Sequence, residues 1–303
     1  MTYSLRDFGS YTVGGRLHEV TEGTPREIAF TRSASFTYDP RGHFAVEQTY
    51  VQYFVPERRR DVPPMVLVHG GGMHGSTWET TPDGRPGWLH HLLDRGFEVH
   101  VVDLVERGRS GFAPGVWLDA PILRSAEEAW SLFRFGAPED FPLRRAYPGL
   151  QFPIEYFDGF LQRIVPRWLS TAPQQTDGLV AVLDRLGEAS LICHSQGAEI
   201  GFDACACCAA SVQGVLAVEP SAFPGGDIGC PVVILAGDNL DSAQHWADRS
   251  VIWESSITSL KERGGQGTFI PTARDIAPGG SHFLMMDHHM ADVLEAGLHA
   301  LQG

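Results

Sequence analysis

The sequence predicts an α/β protein with a mostly parallel central sheet and helices on both faces. Two observations carry this. Short apolar runs, MVLVHG (65–70), VHVVDL (99–104), SLICHS (190–195), VQGVLAVEP (212–220) and PVVILAGD (231–238), recur along the chain, and strands covered on both faces read as near-continuous apolar stretches. Between them lie helical patterns at 88–95, 174–187, 196–210 and 242–262, the alternation expected of βα units.

The remaining elements follow in order. Residues 10–55 alternate apolar and polar positions around turn signals such as Gly14-Gly15 and Asp39-Pro40-Arg41-Gly42, which predicts antiparallel strands and hairpins ahead of the parallel region. Glu57-Arg58-Arg59-Arg60-Asp61 reads as an exposed loop. GTFIPTA (267–273) is a candidate last strand, and 288–301 a closing helix. Residues 112–172 interrupt the alternation with a segment rich in Pro, Phe and Trp, helical near 124–134 and 154–164. A structured insertion of that length is expected to be a cap. The expected organisation is a core of residues 1–111 and 173–303 with a cap at 112–172.

Composition narrows the function classes. The chain has 303 residues, enough for one large domain, with 43% hydrophobic and 20% charged residues. Its 37 acidic residues against 23 basic ones give a net charge of −14, a field that repels nucleic acid and anionic lipid. No stretch is apolar for long enough to span a bilayer, and the N-terminal residues lack a basic-then-apolar leader pattern. A cytoplasmic protein is the expectation, with a removed leader left open. A homodimer is also left open. The five cysteines are odd in number and clustered, unlike a disulfide framework. Cys205, Cys207 and Cys208 read as small residues packing a helix, and their CACC spacing does not suit zinc.

Ser195 is the candidate nucleophile. It stands between an apolar strand and a helix, with small residues, Cys193 and Gly197, two positions before and after it. Such a setting permits the tight turn that projects a hydroxyl above a sheet, and the backbone N–H of Gln196, at the start of the helix, can donate to an oxyanion. After the first apolar run comes His69-Gly70-Gly71-Gly72. Glycines let backbone N–H groups approach a developing negative charge, so Gly71 is the second candidate oxyanion donor, with Gly72 its neighbour at the substrate. The same letters spell Gly70-x-Gly72-x-x-Gly75, a formal dinucleotide fingerprint. It is rejected because Thr80-Thr81-Pro82-Asp83-Gly84 breaks the helix a pyrophosphate would need.

His282, in Gly279-Gly280-Ser281-His282, is the candidate base; His288 and His289 fall at a helix start, and His69 and His194 flank motifs as support. The third member must be a carboxylate on a loop after a strand between Ser195 and His282. Glu219, in Ala-Val-Glu-Pro, competes with Asp238 and Asp241 after the next strand, and position alone favours the Asp pair.

These residues, in this order and with the Asp103-Leu-Val-Glu-Arg-Gly108-Arg-Ser110 segment between them, resemble the α/β-hydrolase superfamily along nearly the whole chain, although Glu106 stands where that superfamily usually has Gly. The run from Thr77 to Trp88, TWETTPDGRPGW, further resembles a small group of bacterial carboxylesterases. That resemblance implies a Glu as triad acid in a Val-Glu-Pro setting, here Glu219, and esterase chemistry on a small-molecule ester without metal or organic cofactor. Lactonase, acyltransferase or C–C hydrolase activity with the same triad is the alternative, and a non-catalytic binding protein a third. Some of the group carry cysteines in the oxyanion loop, where this chain has Gly71 and Gly72. If the cap covers the site, Trp117, Trp130, Phe133, Phe135, Tyr156 and Phe157 are the candidates to line an apolar acyl or alcohol pocket.

Overall fold

The computed structural model describes residues 3–113, 115–117, 119–223 and 228–302; positions 114 and 118 of the expected cap lie outside the described residues. The strands are β1 (Leu5–Val20), β2 (Arg26–Thr31), β3 (Ala34–Tyr38), β4 (Gly42–Pro56), β5 (Met65–Val68), β6 (Val99–Asp103), β7 (Ala189–His194), β8 (Val212–Val218), β9 (Val232–Ala236) and β10 (Gly267–Pro271). The helices are α1 (Trp88–Asp94), α2 (Ala126–Leu132), α3 (Phe157–Leu161), α4 (Ala172–Leu186), α5 (Gln196–Cys207), α6 (Gln244–Glu262), α7 (Thr272–Asp275) and α8 (Met290–Gln302).

Eight strands form one sheet in the order β1-β4-β6-β5-β7-β8-β9-β10. β1 and β4 pair antiparallel from Leu5↔Pro56 to Val20↔Gly42, and β4 joins β6 antiparallel; every later pairing, from β6 to β10, is parallel. The predicted N-terminal hairpins are therefore one long ribbon at the sheet's edge, with β2 and β3 as a separate pair.

Alternation along the strands creates two cores. Met65 and Leu67 of β5 face one layer with α1 and α8, while Val66 and Val68 face the other with α4, α5 and α6. All four are buried, which is why the segment reads as a solid apolar run. α8 contributes Met290, Val293, Leu294 and Leu298, a stripe at helical spacing, to the first core. Among the cysteines, only Cys205 of the CACC group packs as expected: Cys207 is exposed and Cys208 half-buried, because the helix ends at Cys207 and turns them outward.

The segment 112–172 leaves after β6 and returns into α4. Its first helix is capped by Ser125, whose hydroxyl accepts the N–H of Glu128 at 3.1 Å. The second predicted helical stretch is shorter than its pattern, a 3-10 turn at Ile154–Tyr156 running into the five-residue α3. Pro153 and Pro166 bound it. Backbone bonds tie the segment to the loops at the carboxyl ends of the strands: Val165 N–H to Gly72 O (2.8 Å), Gln151 N–H to Gly279 O (2.8 Å) and His282 N–H to Phe133 O (3.2 Å).

Candidate active site

Ser195 caps α5 with φ 51° and ψ −119°, a conformation unfavourable for a residue with a Cβ. The turn closes because Gly197 lies against the backbone of β5: a Cβ there would overlap the His69 carbonyl oxygen. Cys193 is accommodated two positions before the serine because Gly201, on the facing turn of α5, leaves room for its sulfur.

β8 lies beside β7 and ends at Val218. Glu219 follows with φ 51°, its side chain fully buried. Its Oε2 accepts from Nδ1 of His282 at 3.1 Å; its Oε1 accepts from Arg134 Nη2 at 2.8 Å and from the N–H of Gly237. Burial alone would push this carboxyl up, but the Arg134 guanidinium and the His282 contact outweigh it and hold Glu219 at about 2. Asp238 and Asp241 stand elsewhere. Asp238 accepts from the N–H groups of Asn239 (2.8 Å) and Gly279 (3.0 Å), and so braces the loop that carries His282; Asp241 is exposed.

His282 is buried, and its ring stacks on Phe133 with centroids 5.5 Å apart and planes 4° from parallel. Burial lowers its pKa, and the Glu219 contact raises it only part of the way back, leaving it below the ordinary imidazole value. His194, buried and held neutral by burial, donates from Nε2 to the His282 carbonyl at 3.0 Å. Asp287 accepts from both the N–H and the hydroxyl of Ser281 at 2.7 Å, next to His282. Burial raises its carboxyl to about 7.

The candidate oxyanion loop is pinned from below. His69 accepts the Leu104 N–H at Nε2 (3.1 Å), so its Nδ1 carries the proton and donates to Gly70 O (3.0 Å); burial drives its pKa down to about 3. Asp103 accepts the Gly75 N–H at 2.6 Å and holds Arg109 on its other oxygen. The formal dinucleotide fingerprint thus runs into a 3-10 turn at Gly75–Trp78 in place of a helix. Glu106, at the position where Gly was expected, adopts φ 68° and ties down the segment 112–172 by accepting the Trp168 N–H at 2.8 Å.

The Thr77-to-Trp88 run has a structural task. Thr81, Asp83 and Arg85 form a closed hydrogen-bonded turn, and Arg85 then donates to the carbonyls of Met286 (2.8 Å) and Asp287 (3.0 Å), while Trp88 Nε1 donates to Met290 O (2.9 Å). It clamps the chain just beyond His282.

Ser195, His282, Gly71 and Gln196 line one cavity of about 350 Å³. Of the residues expected from the cap, Phe133 lines it, together with Leu132. Gly72, Trp117, Trp130, Phe135, Tyr156 and Phe157 do not. Trp130 and Phe157 are buried in an aromatic cluster with Phe135 and Phe160 that holds the segment together. Trp117 packs on Trp168, Tyr156 is half-exposed, and Gly72 spends its carbonyl on Val165. Sequence reasoning missed Arg134 and the cavity's polar wall of Arg124, Arg167, Glu199, Ser221, His245 and Arg249. Arg167 Nη1 donates to Gln196 Oε1 at 2.9 Å and lies directly over Gly71, where a Cβ would overlap it. No local motif marks these arginines.

No protein-family model matches the chain. Among curated proteins, the probable secreted lipase phiG of Fungal sp. (strain ATCC 74256) is 30% identical over 208 residues, 66% of this chain and 56% of that protein, so the match spans little more than half of its length. The pimeloyl acyl-carrier-protein methyl ester esterase of Vibrio atlanticus (strain LGP32) is 46% identical over 48 residues, 16% of each chain. Among solved structures, a bacterial esterase superposes with a TM-score of 0.86 at 29% identity, covering 99% of this chain and 96% of that one. No helix among the described residues is long and apolar enough to cross a membrane. The eight-stranded, mostly parallel sheet and that full-length superposition give the chain the α/β-hydrolase fold.

Proposed function

We propose that the protein is a serine carboxylesterase, hydrolysing a small-molecule ester through an acyl-enzyme on Ser195. The observation that carries this is the hydrogen bond from His282 to the buried, ionised Glu219, with His282 and Ser195 lining one cavity. The esterase and lipase names of the relatives support the same chemistry.

With Nδ1–H bound to Glu219, His282 presents Nε2 as the acceptor. It takes the Ser195 hydroxyl proton as Oγ adds to the ester carbonyl. The oxyanion that forms is met by the N–H groups of Gly71 and Gln196, neither of which donates to a protein acceptor among the described residues. Imidazolium, stabilised by Glu219, then protonates the leaving alcohol. Water attacks the acyl-serine through the same histidine, releasing the acid and restoring Ser195. Residues 112–172 act as the cap on the core of 1–111 and 173–303, with Leu132 and Phe133 facing the substrate.

The test is to treat the protein with a fluorophosphonate probe and to assay ester, lactone and carbon–carbon substrates side by side. Labelling at Ser195, ester turnover, and loss of both in a folded Ser195→Ala variant by several orders of magnitude are expected. A folded Ser195→Ala variant with comparable activity would overturn the assignment, and turnover confined to another substrate class would redirect it.

A further inference from the structure

The cavity beside Ser195 is cationic in a protein that is strongly anionic. Arg124, Arg167 and Arg249 reach it from three different parts of the chain, and Glu199 is the one carboxylate on its wall among the described residues. The molecule's net charge is −14, so this excess of positive charge is local to the cavity. None of the three arginines is matched by an acid inside the cavity. Arg124 pairs with Glu128, which is half-exposed and not part of the wall. Arg167 donates to the neutral Gln196 amide, and its Nε is buried without a partner. Arg249 makes no ion pair or hydrogen bond among the described residues and lies over the Trp246 ring, 5.3 Å from its centroid. Glu199 accepts from Ser221 Oγ at 3.1 Å and makes no ion pair with the arginines among the described residues, although its charge, from a distance, favours the cationic forms of Arg167 and Arg249. His245 adds no compensating anion; burial favours its neutral form.

Partly buried guanidiniums without an ion-paired carboxylate, here Arg167 and Arg249, are costly unless something anionic joins them. They are also the side chains best suited to gripping a planar or tetrahedral oxyanion through two parallel hydrogen bonds. The apolar part of the wall, Leu132, Phe133, Ala222 and Trp246, suits a short aliphatic or aromatic linker.

We propose that the ester hydrolysed here carries a second, anionic oxygen group, a carboxylate or a phosphonate-like group, that sits on Arg124 and Arg249 while the ester carbonyl lies at Ser195. This rests on the hydrolase reading above and narrows its substrate to half-esters of diacids and their phosphorus counterparts. Such a protein, anionic overall, would otherwise repel these substrates; the arginine wall provides a local field of the opposite sign. Arg167 is excluded from the test because it covers Gly71 and its loss would disturb every ester alike.

The experiment has a binding arm and a turnover arm. Calorimetry on Ser195→Ala compares monoethyl glutarate, ethyl 4-phosphonobutyrate and neutral diethyl glutarate. Kinetics on the wild type compares kcat/KM for the same three. At least a ten-fold preference for one of the anionic esters over the neutral one is expected in both arms, the size of effect one charge-assisted hydrogen bond contributes. Which anionic ester wins identifies the group. Arg249→Gln should lower the anionic-to-neutral ratio about ten-fold, Arg249→Lys should restore part of it, and added salt should erode it. Equal binding and equal turnover of neutral and anionic esters, or a preference that survives Arg124→Gln/Arg249→Gln, overturns the proposal and leaves the esterase reading intact. Selective binding to Ser195→Ala without turnover of any ester by the wild type supports the anion site and sinks the esterase reading instead.

Discussion

Replacing Glu219 by Gln tests the centre of the site. Glu219 faces three donors: His282 Nδ1, Arg134 Nη2 and the Gly237 N–H. A glutamine has one oxygen for them and must turn its NH2 toward the remainder. Two donors sit on the Arg134–Gly237 side, so the oxygen goes there and the NH2 meets the imidazole. His282 must then accept at Nδ1 and carry its proton on Nε2, the tautomer that cannot take the serine proton. The expected loss in kcat is roughly 10²–10⁴, or about 3–5 kcal/mol of transition-state stabilisation. The variant also leaves the fully buried Arg134 without its counter-charge. Breaking such a pair costs about 3–5 kcal/mol of stability, a large share of a domain's total, so the variant should melt well below the wild type and be assayed at low temperature after its fold is checked by circular dichroism. A third signature is specific to this geometry. Glu219 raises the His282 pKa against burial, so removing its charge should move the acid limb of kcat/KM to lower pH. Asp238→Asn, which keeps an oxygen for one of its two backbone donors, should cost less than ten-fold in kcat. A folded Glu219→Gln retaining kcat within ten-fold, beside an Asp238→Asn that loses a hundred-fold, would refute the reasoning.

Other outcomes follow from the same contacts. On the proposed mechanism the wild type needs neutral His282, whose pKa lies below the ordinary value because of burial; the rate should therefore hold down through about pH 6.5 and fall only further into acid, and a limb above that value in a pH–kcat/KM profile would contradict it. Gly71→Ala puts a methyl into Arg167 Nη1 and within 2.8 Å of Gln196 Oε1, so kcat should drop about 10²-fold or more as the oxyanion donor is displaced, with unchanged kinetics as the contrary result. The Asp287 carboxyl is raised in the fold to about 7 from 3.8. Its neutral form is favoured, and stability should decline as pH rises between those values. Asp287→Asn, neutral throughout, should melt progressively higher than the wild type from pH 5 to 8 by thermal denaturation; a gap that narrows over that range would argue against a raised carboxyl.

Local chemistry was sufficient for much of this protein. The solid apolar runs of β5 to β9, the small residues around Ser195 and the glycines before His282 are set by neighbours a few positions away, and pattern rules read them directly. Glu219 was less legible. Position pointed to the Asp pair; the unusual setting of a Glu between an apolar strand and a Pro, and chiefly the resemblance to a narrower esterase group, pointed to the residue that the fold brings to the imidazole. Tertiary structure alone decided the contacts between distant segments. Arg134 meets Glu219 across 85 positions, and Arg85 reaches Met286 across 201. An isolated arginine carries no periodicity that says which carboxylate or carbonyl it will find. The aromatic segment 112–172 makes the same point. Its composition suggested an apolar pocket, but Trp130 and Phe157 turn inward to hold the segment together. Burying those rings against each other leaves Arg124, Leu132, Phe133 and Arg167 as the segment's share of the cavity wall, and which face of a segment meets the site depends on how it packs against the rest of the chain.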